Sequence, residues 1–381
     1  MVEALYDLGI VGGGQLGMML TQAAREINLS TIVLDPSGND CSAKKVAGAQ
    51  AIKGGLRERD RLFDLAEAAR YLTVEIEHLD PKTLEVAALA YARVVHPSAE
   101  TIYNIQDKYR QHLILTALGI PVAPHREVST ANEIRELLDQ SPRGLIAKTK
   151  RDAYDGRGNA EIRGKADIAP AIARLQNGDS TRELYVEQRI PFIKELAMMV
   201  AKGVRSSEDV KLYPLVETKH LRGQLREVVA PAQVSNMVQL RAMSIVTTIA
   251  ESFFQGAGVF GVEMFLGEND QIWVNECAPR VHNSGHYTIE ACTTSQFSNH
   301  VLAVTEQFLG ETDMVYPYAG MVNIIGDYTG MDDVSRMEGV FVHDYQKSPR
   351  PERKLGHVTL VGEDYEDFVL RMHVVSSFLT K

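Results

Sequence analysis

Residues 258–280 read Gly-Val-Phe-Gly-Val-Glu-Met-Phe-Leu-Gly-Glu-Asn-Asp-Gln-Ile-Trp-Val-Asn-Glu-Cys-Ala-Pro-Arg. Two apolar, strand-forming runs flank Asn269-Asp270, a composition suited to a tight hairpin turn. Closing the hairpin on those two residues predicts Leu266 near Trp273, Phe265 facing Val274, and Glu263 directly opposite Glu276. Carboxylates paired across a sheet repel and weaken a ribbon built only for stability. A divalent cation turns that pairing into a site, because Mg²⁺ takes oxygen ligands, commonly one or two carboxylates plus nucleotide phosphates. The competing reading is a solvated face with two unrelated glutamates, and the apolar neighbours of both acids count against it. A slip of one residue would separate the pair.

The beginning of the chain imposes a different architecture. Leu8-Gly-Ile-Val11 is an apolar strand that runs into Gly12-Gly-Gly-Gln-Leu-Gly17 and then a helical pattern from Met18 to about Ile27. Thr31–Asp35 and the segment from Leu72 to Glu77 read as further strands of the same sheet. Strands alternating with helices imply a parallel, doubly wound sheet. Its ligands bind outside the carboxyl ends of the strands, where Gln15, Asp35 and Glu75 fall. The glycine pattern by itself is a dinucleotide fingerprint, with Asp35 ending the next strand. Its physics is more general: backbone amides at a helix N-terminus favour any anion, a sugar phosphate included. A plain strand–helix turn is the bland alternative.

The chain has 381 residues, a net charge of −10, and three widely spaced cysteines, Cys41, Cys277 and Cys292. Its length allows two or three domains. The acidic balance argues against a nucleic-acid surface. No apolar run is long enough to span a bilayer, and the first seven residues lack the pattern of a signal peptide. The cysteine number and spacing argue against a disulfide framework and for a reducing cytoplasm.

A helix is expected from about Lys108 to Leu118, stopped by Gly119 and Pro121. Thr130-Ala-Asn-Glu133 is a capping box opening another. Strands are expected at Leu145–Lys148 and Leu184–Glu187. From about Leu196 the pattern is mainly antiparallel strand, with helices near 236–254 and 290–308. A β-rich segment follows over about 321–361, then a helix near 365–380.

Four further groups of residues carry chemistry. Lys148 ends a strand and precedes the basic, glycine-punctuated loop Lys150-Arg-Asp-Ala-Tyr-Asp-Gly-Arg-Gly-Asn159, which suits a lid over polyphosphate or is a surface hairpin. Glu187-Gln-Arg-Ile190, with Glu195 beyond, ends a strand where an adenine edge and ribose hydroxyls could be read; exposed glutamates there are also commonplace. Arg280-Val-His-Asn-Ser-Gly-His286 packs polar groups beside the acidic ribbon, with Arg280 placed to stabilise developing phosphoryl charge. His282 and His286 lack a third soft ligand for zinc. Lys347-Ser-Pro-Arg-Pro-Glu-Arg-Lys354 concentrates cations in a proline-stiffened loop suited to a phosphate monoester, or is a solvated loop.

Together these motifs resemble the ATP-grasp superfamily and, within it, the N5-carboxyaminoimidazole ribonucleotide synthetases of purine biosynthesis. The likeness rests on Gly12–Gly17, Tyr154-Asp-Gly-Arg-Gly158, the stretch from Asn275 to Thr288, Thr294–Phe297 and Arg353–His357, and covers nearly the whole chain. It implies an α/β and α+β architecture. The N-terminal doubly wound domain spans 1–106. A central ATP-grasp fold spans 107–315, with its lid roughly 122–190 and its core roughly 191–315. A small C-terminal β-rich domain spans 316–381. The implied reaction uses ATP and bicarbonate to form carboxyphosphate, which carboxylates 5-aminoimidazole ribonucleotide and leaves ADP and phosphate.

By the same resemblance, Lys108, Lys148 and the loop Ala153, Tyr154, Asp155, Gly156, Arg157, Gly158 and Asn159 meet the ATP phosphates. Glu187, Gln188, Arg189, Ile190, Glu195 and His220 hold adenine and ribose, with Asn275 and Glu276 also at the nucleotide. Glu263 and Glu276 ligate Mg²⁺. Gln15, Leu16, Glu75, Asn283, Ser284, Lys347, Arg353 and Lys354 bind the ribonucleotide. Arg280, Tyr154 and Asp155 are the implied catalytic residues. A cytoplasmic homodimer, with no nucleic-acid or membrane partner, is expected. The sequence departs from the family pattern at Asp152-Ala153, where small residues are usual, at Lys108, where some relatives have arginine, and at Ala278, where many ATP-grasp proteins place asparagine. No mutase domain follows Lys381, so a separate or removed mutase is expected. The rival readings are a formate-using glycinamide ribonucleotide transformylase, an NAD-dependent oxidoreductase and a non-catalytic nucleotide sensor.

Overall fold

The computed structural model describes residues 5–152, 158–206, 209–326 and 331–379. Three sheets organise them. The first has five parallel strands in the order Gln50–Lys53, Thr31–Asp35, Tyr6–Val11, Ala69–Val74, Val94–Val95. Strand order reverses beside Tyr6–Val11, which creates the crevice where doubly wound sheets bind ligands. Two segments leave the sheet at that crevice, the glycine turn after Val11 and residues 75–77 after Val74. The expected strand over 72–77 is in fact Ala69–Val74. Glu75 and Glu77 therefore lie beyond the carboxyl end of the sheet, outside the ladder.

The second sheet has four antiparallel strands, His125–Val128, Leu184–Gln188, Leu145–Thr149 and Asn159–Ile162. Helices Ala131–Asp139 and Ile168–Gln176 cover one face and bury Ile134, Ile168 and Leu175 against Ala147 and Val186. Thr130 and Glu133 form the expected capping box.

The third sheet has nine strands. It starts at the edge strand Ile272–Ala278 and passes through Gly258–Gly267, Phe192–Lys202, Val216–Leu221 and Gln224–Ala230. It continues into Tyr318–Ile325, Lys354–Gly362 and Val340–Asp344, and the ninth strand, Val210–Leu212, pairs with the far end of Phe192–Lys202. Gln224–Ala230 pairs directly with Tyr318–Ile325, so the C-terminal segment extends the central sheet. Helix Asn236–Ser252 buries Val238, Val246 and Ile249 on one face of this sheet, against Met198, Val200 and Phe260. Helix Gln296–Val304 packs Phe297, Val301 and Val304 on the other face, in a core shared with Leu8, Ile10 and Met19 of the first sheet. The helix expected near 290–308 is shorter than this range and is preceded by a separate turn, Thr288–Ala291. Among the described residues no helix is long and apolar enough to cross a membrane.

The acidic ribbon forms with one correction. Glu263 does face Glu276, but Phe265 faces Trp273, Met264 faces Val274 and Leu266 faces Ile272. The turn is a longer loop over Glu268–Asp270, with Asn269 and Asp270 in left-handed backbone at φ 62° and 59°. That loop shifts the register by one residue. A bulge at Asn275, between the Met264 and Glu263 pairings, restores it. A bulge places two residues of one strand against one of its partner. Asn275 and its neighbour Glu276 consequently share one face, and both line the same cleft.

Candidate active site

A cleft of about 840 Å³ lies where the three sheets meet. Its lining includes Gln15, Leu16 and Glu75 from the parallel sheet, and Lys108 from helix Lys108–Ala117. Lys148, Gly158, Asn159 and Glu187 to Ile190 come from the four-stranded sheet. Glu195, His220, Glu263, Asn275, Glu276, Arg280, Asn283 and Lys354 complete it from the large sheet and its loops. Most of the residues expected to act together are thus brought to one cavity. Ala153, Tyr154, Asp155, Gly156 and Arg157 lie outside the described residues.

On the ribbon wall, Glu276 is hydrogen-bonded to Lys108. Burial alone would raise its pKa, but the charge and hydrogen bond of Lys108, with Lys148 behind, hold it down to about 2. Glu263 moves the other way: burial raises it, and the facing Glu276 raises it further. His282 Nε2 lies 3.5 Å from Glu263. Burial, with Arg280 nearby, lowers that imidazole to about 3, so it is neutral. Two hard carboxylates and the Asn275 amide on one face suit a small divalent cation completed by ligand oxygens. Among the described residues there is no cluster of three or more His, Cys, Asp and Glu able to hold a metal. A cation here would rely on oxygens of a bound ligand for further coordination.

The wall built by Lys148 and Glu187 is strongly prearranged. Lys148 Nζ is 2.7 Å from Glu187 and donates to Asn275 Oδ1 at 3.5 Å. Glu187 is only 4% exposed and also accepts from the Tyr185 hydroxyl at 2.9 Å. Its carboxylate is committed to positioning Lys148, which leaves the backbone of 187–190 to face a ligand. Glu195 meets His220 Nδ1 at 2.9 Å. Burial disfavours charge on His220, but Glu195 and Glu263 outweigh it and raise its pKa. Phe192 and Phe265 stack at 4.6 Å on this side and line the cleft.

The parallel-sheet wall corrects the anion-loop expectation. The Gly14 and Gly17 amides donate to Glu75, and the Gly13 amide donates to Asp35 at 3.0 Å. Gly12 has φ +106°, and a Cβ there would lie 2.3 Å from Glu75 Cγ. The glycines therefore let a carboxylate of the same chain occupy the helix N-terminus, and no vacant phosphate cradle is left. Asp35, which also takes the Ser37 amide at 2.7 Å, faces the loop and is unavailable to a dinucleotide ribose. Both features required for the NAD reading serve internal contacts.

Three family models match the chain. One, described as a ribonucleotide synthetase preATP-grasp domain, covers residues 5–106. An ATP-grasp domain covers 113–297, and a phosphoribosylaminoimidazole carboxylase C-terminal domain covers 319–370. The N5-carboxyaminoimidazole ribonucleotide synthase of Synechococcus elongatus is 33% identical, over 94% of this chain and 90% of that protein. The chain belongs to the N5-carboxyaminoimidazole ribonucleotide synthase family. The phosphoribosylaminoimidazole carboxylase of Ogataea methanolica is 38% identical, over 97% of this chain and 68% of that protein. The chain spans about two thirds of the length of the yeast relatives it matches. An Aspergillus clavatus N5-carboxyaminoimidazole synthase, in complex with ADP and 5-aminoimidazole ribonucleotide, superposes with a TM-score of 0.89 at 33% identity, covering 98% of each chain.

Within this family frame, some expected residues stand apart from the cleft lining. Ser284 is fully buried, and its hydroxyl is 2.8 Å from His282 Nδ1. Sequence reasoning missed this Ser–His pair. With Glu263 beyond, it has the connectivity of a hydrolase triad, but its serine is inaccessible. Lys347 reaches the cleft edge through a hydrogen bond to Gln15. Arg353 Nη1 donates to the Ser348 carbonyl at 3.1 Å and shapes the cationic loop. Sequence reasoning missed Glu77, which holds Arg280 through Nε at 2.6 Å and Nη2 at 3.2 Å. It also missed Asn323, which exchanges amide hydrogen bonds with Asn283 at 2.8 and 3.1 Å. Neither residue sits in a recognisable motif; their partners are 203 and 40 positions away.

Proposed function

We infer that this chain uses ATP and bicarbonate to carboxylate 5-aminoimidazole ribonucleotide, forming N5-carboxyaminoimidazole ribonucleotide, ADP and phosphate in de novo purine biosynthesis. The carrying observation is that Glu263, Glu276, Lys108 and Lys148 share one cavity with Gln15 and Glu75. A nucleotide half and a second-substrate half thus face each other across Arg280. Family membership, and the relative in complex with ADP and the ribonucleotide, support the reading.

In this reading Lys108 and Lys148 hold the ATP phosphates, and the backbone of 187–190, with Glu195 and His220, takes adenine and ribose. By the family resemblance the loop 153–159 serves the phosphates, and Tyr154 and Asp155 act on the reacting amine. Mg²⁺ held by Glu263 and Glu276 would offset phosphate charge during in-line transfer to bicarbonate. Arg280, fixed on one edge by Glu77, offers its remaining N–H donors to carboxyphosphate. Gln15, Leu16, Glu75 and Asn283 receive the ribonucleotide, and Lys347, Arg353 and Lys354 its phosphate. A labile intermediate here would have to be kept from water during turnover. No protein nucleophile is required. Burial holds the Cys277 thiol far above its ordinary pKa, and Ser284 is sealed.

The domain limits 1–106, 107–315 and 316–381, a homodimeric assembly and a cytoplasmic setting complete the proposal. The three cysteines are free and buried, which suits a reducing compartment. The test is ADP release with bicarbonate, with and without 5-aminoimidazole ribonucleotide. Turnover should require both. Release indifferent to the ribonucleotide, or dependent on formate and glycinamide ribonucleotide, would sink the assignment.

A further inference from the structure

The bulge that turns Asn275 and Glu276 to the same face lies on an edge strand. An edge strand has no neighbour on its outer side to fix its backbone, and a bulge leaves its extra residue unpaired in the ladder. Something other than the sheet must therefore hold this geometry. Helix Lys108–Ala117 lies against the strand and presents positions 108, 111 and 112 on one face. Each meets a different one of three consecutive strand residues.

Lys108 binds the Glu276 carboxylate. Gln111 Oε1 accepts from the Cys277 amide at 2.9 Å, and Gln111 Nε2 donates to the Cys277 carbonyl at 3.1 Å. One side-chain amide thus replaces the backbone partner a neighbouring strand would supply. His112 Nε2 is 2.9 Å from the Asn275 carbonyl. A carbonyl only accepts, so that nitrogen carries the proton and donates. The Val274 amide donates to the Pro121 carbonyl at 2.7 Å, just beyond the helix. Gln111 and His112 are each 1% exposed. On its other side His112 is 3.2 Å from Glu187, the carboxylate that holds Lys148. The helix grips the bulge from both flanks, while His112 Nδ1, deprotonated, makes no hydrogen bond to Glu187.

We propose that Gln111 and His112 are positioning residues that lock the Asn275 bulge and so aim Glu276, with Asn275, at the metal–nucleotide complex. The proposal rests on the reading of Glu263 and Glu276 as metal ligands. Gln111 lines the cleft, but both polar atoms of its side-chain amide are committed to the Cys277 backbone, and His112 is absent from the lining. Their action is on geometry, so losing one should weaken metal-dependent binding while leaving the ribonucleotide half of the cleft intact. Outer partners of metal ligands typically cost about 10–100-fold in metal affinity when removed.

The test uses the full chain with Mn²⁺ and ADP as probes. Mn²⁺ uptake in the presence of ADP is followed by electron paramagnetic resonance, and metal-free ADP and 5-aminoimidazole ribonucleotide binding by calorimetry. Gln111→Met and His112→Phe keep size but remove the hydrogen bonds; His112→Gln retains a donor. The first two should weaken Mn²⁺–ADP binding by about tenfold or more, with metal-free ADP and ribonucleotide binding within about twofold of the native protein. His112→Gln should restore most of the loss. Because both residues hold one bulge, the double variant should lose less than the product of the single effects. Native Mn²⁺–ADP affinity in the two single variants would overturn the proposal. So would a uniform loss of all three binding events, which assigns the pair a general structural role. Native protein whose ADP affinity ignores Mn²⁺ would overturn the metal reading itself, an outcome separable from the other two.

Discussion

Two pairs of acids face each other across the cleft, and their fates differ. Glu75 and Glu77 follow a parallel strand; Glu263 and Glu276 oppose each other on an antiparallel ribbon. In each pair one member is held low against burial, Glu77 by Arg280 and Glu276 by Lys108, both to about 2. In each pair burial pushes the other member up. Glu75 nevertheless has two backbone amides of its own. Among the described residues Glu263 has one ion-pair contact, His282, and that ring is neutral. The first pair is matched from within the chain, by two backbone amides and by Arg280. The second is left less matched, which suits the cation site proposed for it.

The largest expected effect breaks the less matched pair. Glu276→Gln should lower turnover by on the order of 10³-fold, since several kcal/mol of charge stabilisation would be lost. It also strands Lys108. Wild-type ADP release in this variant would end the metal assignment. Next comes the matched pair. Glu77→Ala leaves a buried guanidinium unpaired, a loss of about 3–5 kcal/mol of stability, readable as a lower denaturant midpoint together with impaired turnover. A variant as stable as the parent would show that Arg280 finds another partner.

Glu263→Gln sharpens the contrast, because its two effects have opposite signs. Turnover should collapse, yet the metal-free protein should melt higher by a few degrees at neutral pH. The sign follows from linkage. The folded pKa of Glu263 is raised, so its stabilising contribution is present below the ordinary glutamate value and lost as pH rises through the folded value. The metal-free parent should therefore lose stability over that rise, and the variant should lose less. Glu276, held low, has the reverse dependence only at much lower pH. Identical melting curves for parent and variant would mean that neither burial nor the facing Glu276 penalises charge on Glu263.

Much of this was legible in the sequence. Turn chemistry and periodicity located the parallel sheet, the capping box at Thr130 and the ribbon. The Glu263–Glu276 pairing followed from counting outward from Asn269-Asp270. That count reached the right pair through a wrong path. A longer turn shifted the register by one residue, and the Asn275 bulge shifted it back. Bulges leave no compositional mark, so their effect on side-chain direction is invisible in one dimension. The glycine loop misled for a related reason: its residues announce a close approach to an anion without saying which. Here the anion is Glu75, 58 residues from Gly17. Glu77, Gln111, His112 and Asn323 were missed because a positioning residue is defined by a partner distant in sequence.

The smallest effect probes the seam between the two halves, at Lys347. Burial lowers its pKa to about 8, opposed by the nearby Glu75, whereas a lysine in an unfolded chain stays charged to about 10.4. If this ammonium binds the ribonucleotide phosphate, the cation needed for binding disappears from the free protein as pH rises through about 8. The KM for ribonucleotide should then climb by up to about tenfold between pH 7 and 9, with kcat and the KM for ATP nearly flat. Because the folded value lies below the unfolded one, protonation favours the unfolded chain. The destabilising charge is fully felt below the folded value and fades as pH rises from there toward the unfolded value. Lys347→Met should raise the ribonucleotide KM at pH 7 by about tenfold, abolish its rise with pH, and leave the protein no less stable. A parent KM that is flat across this range would place the phosphate elsewhere in the loop, at Arg353 or Lys354, and leave Lys347 as the cation that holds Gln15.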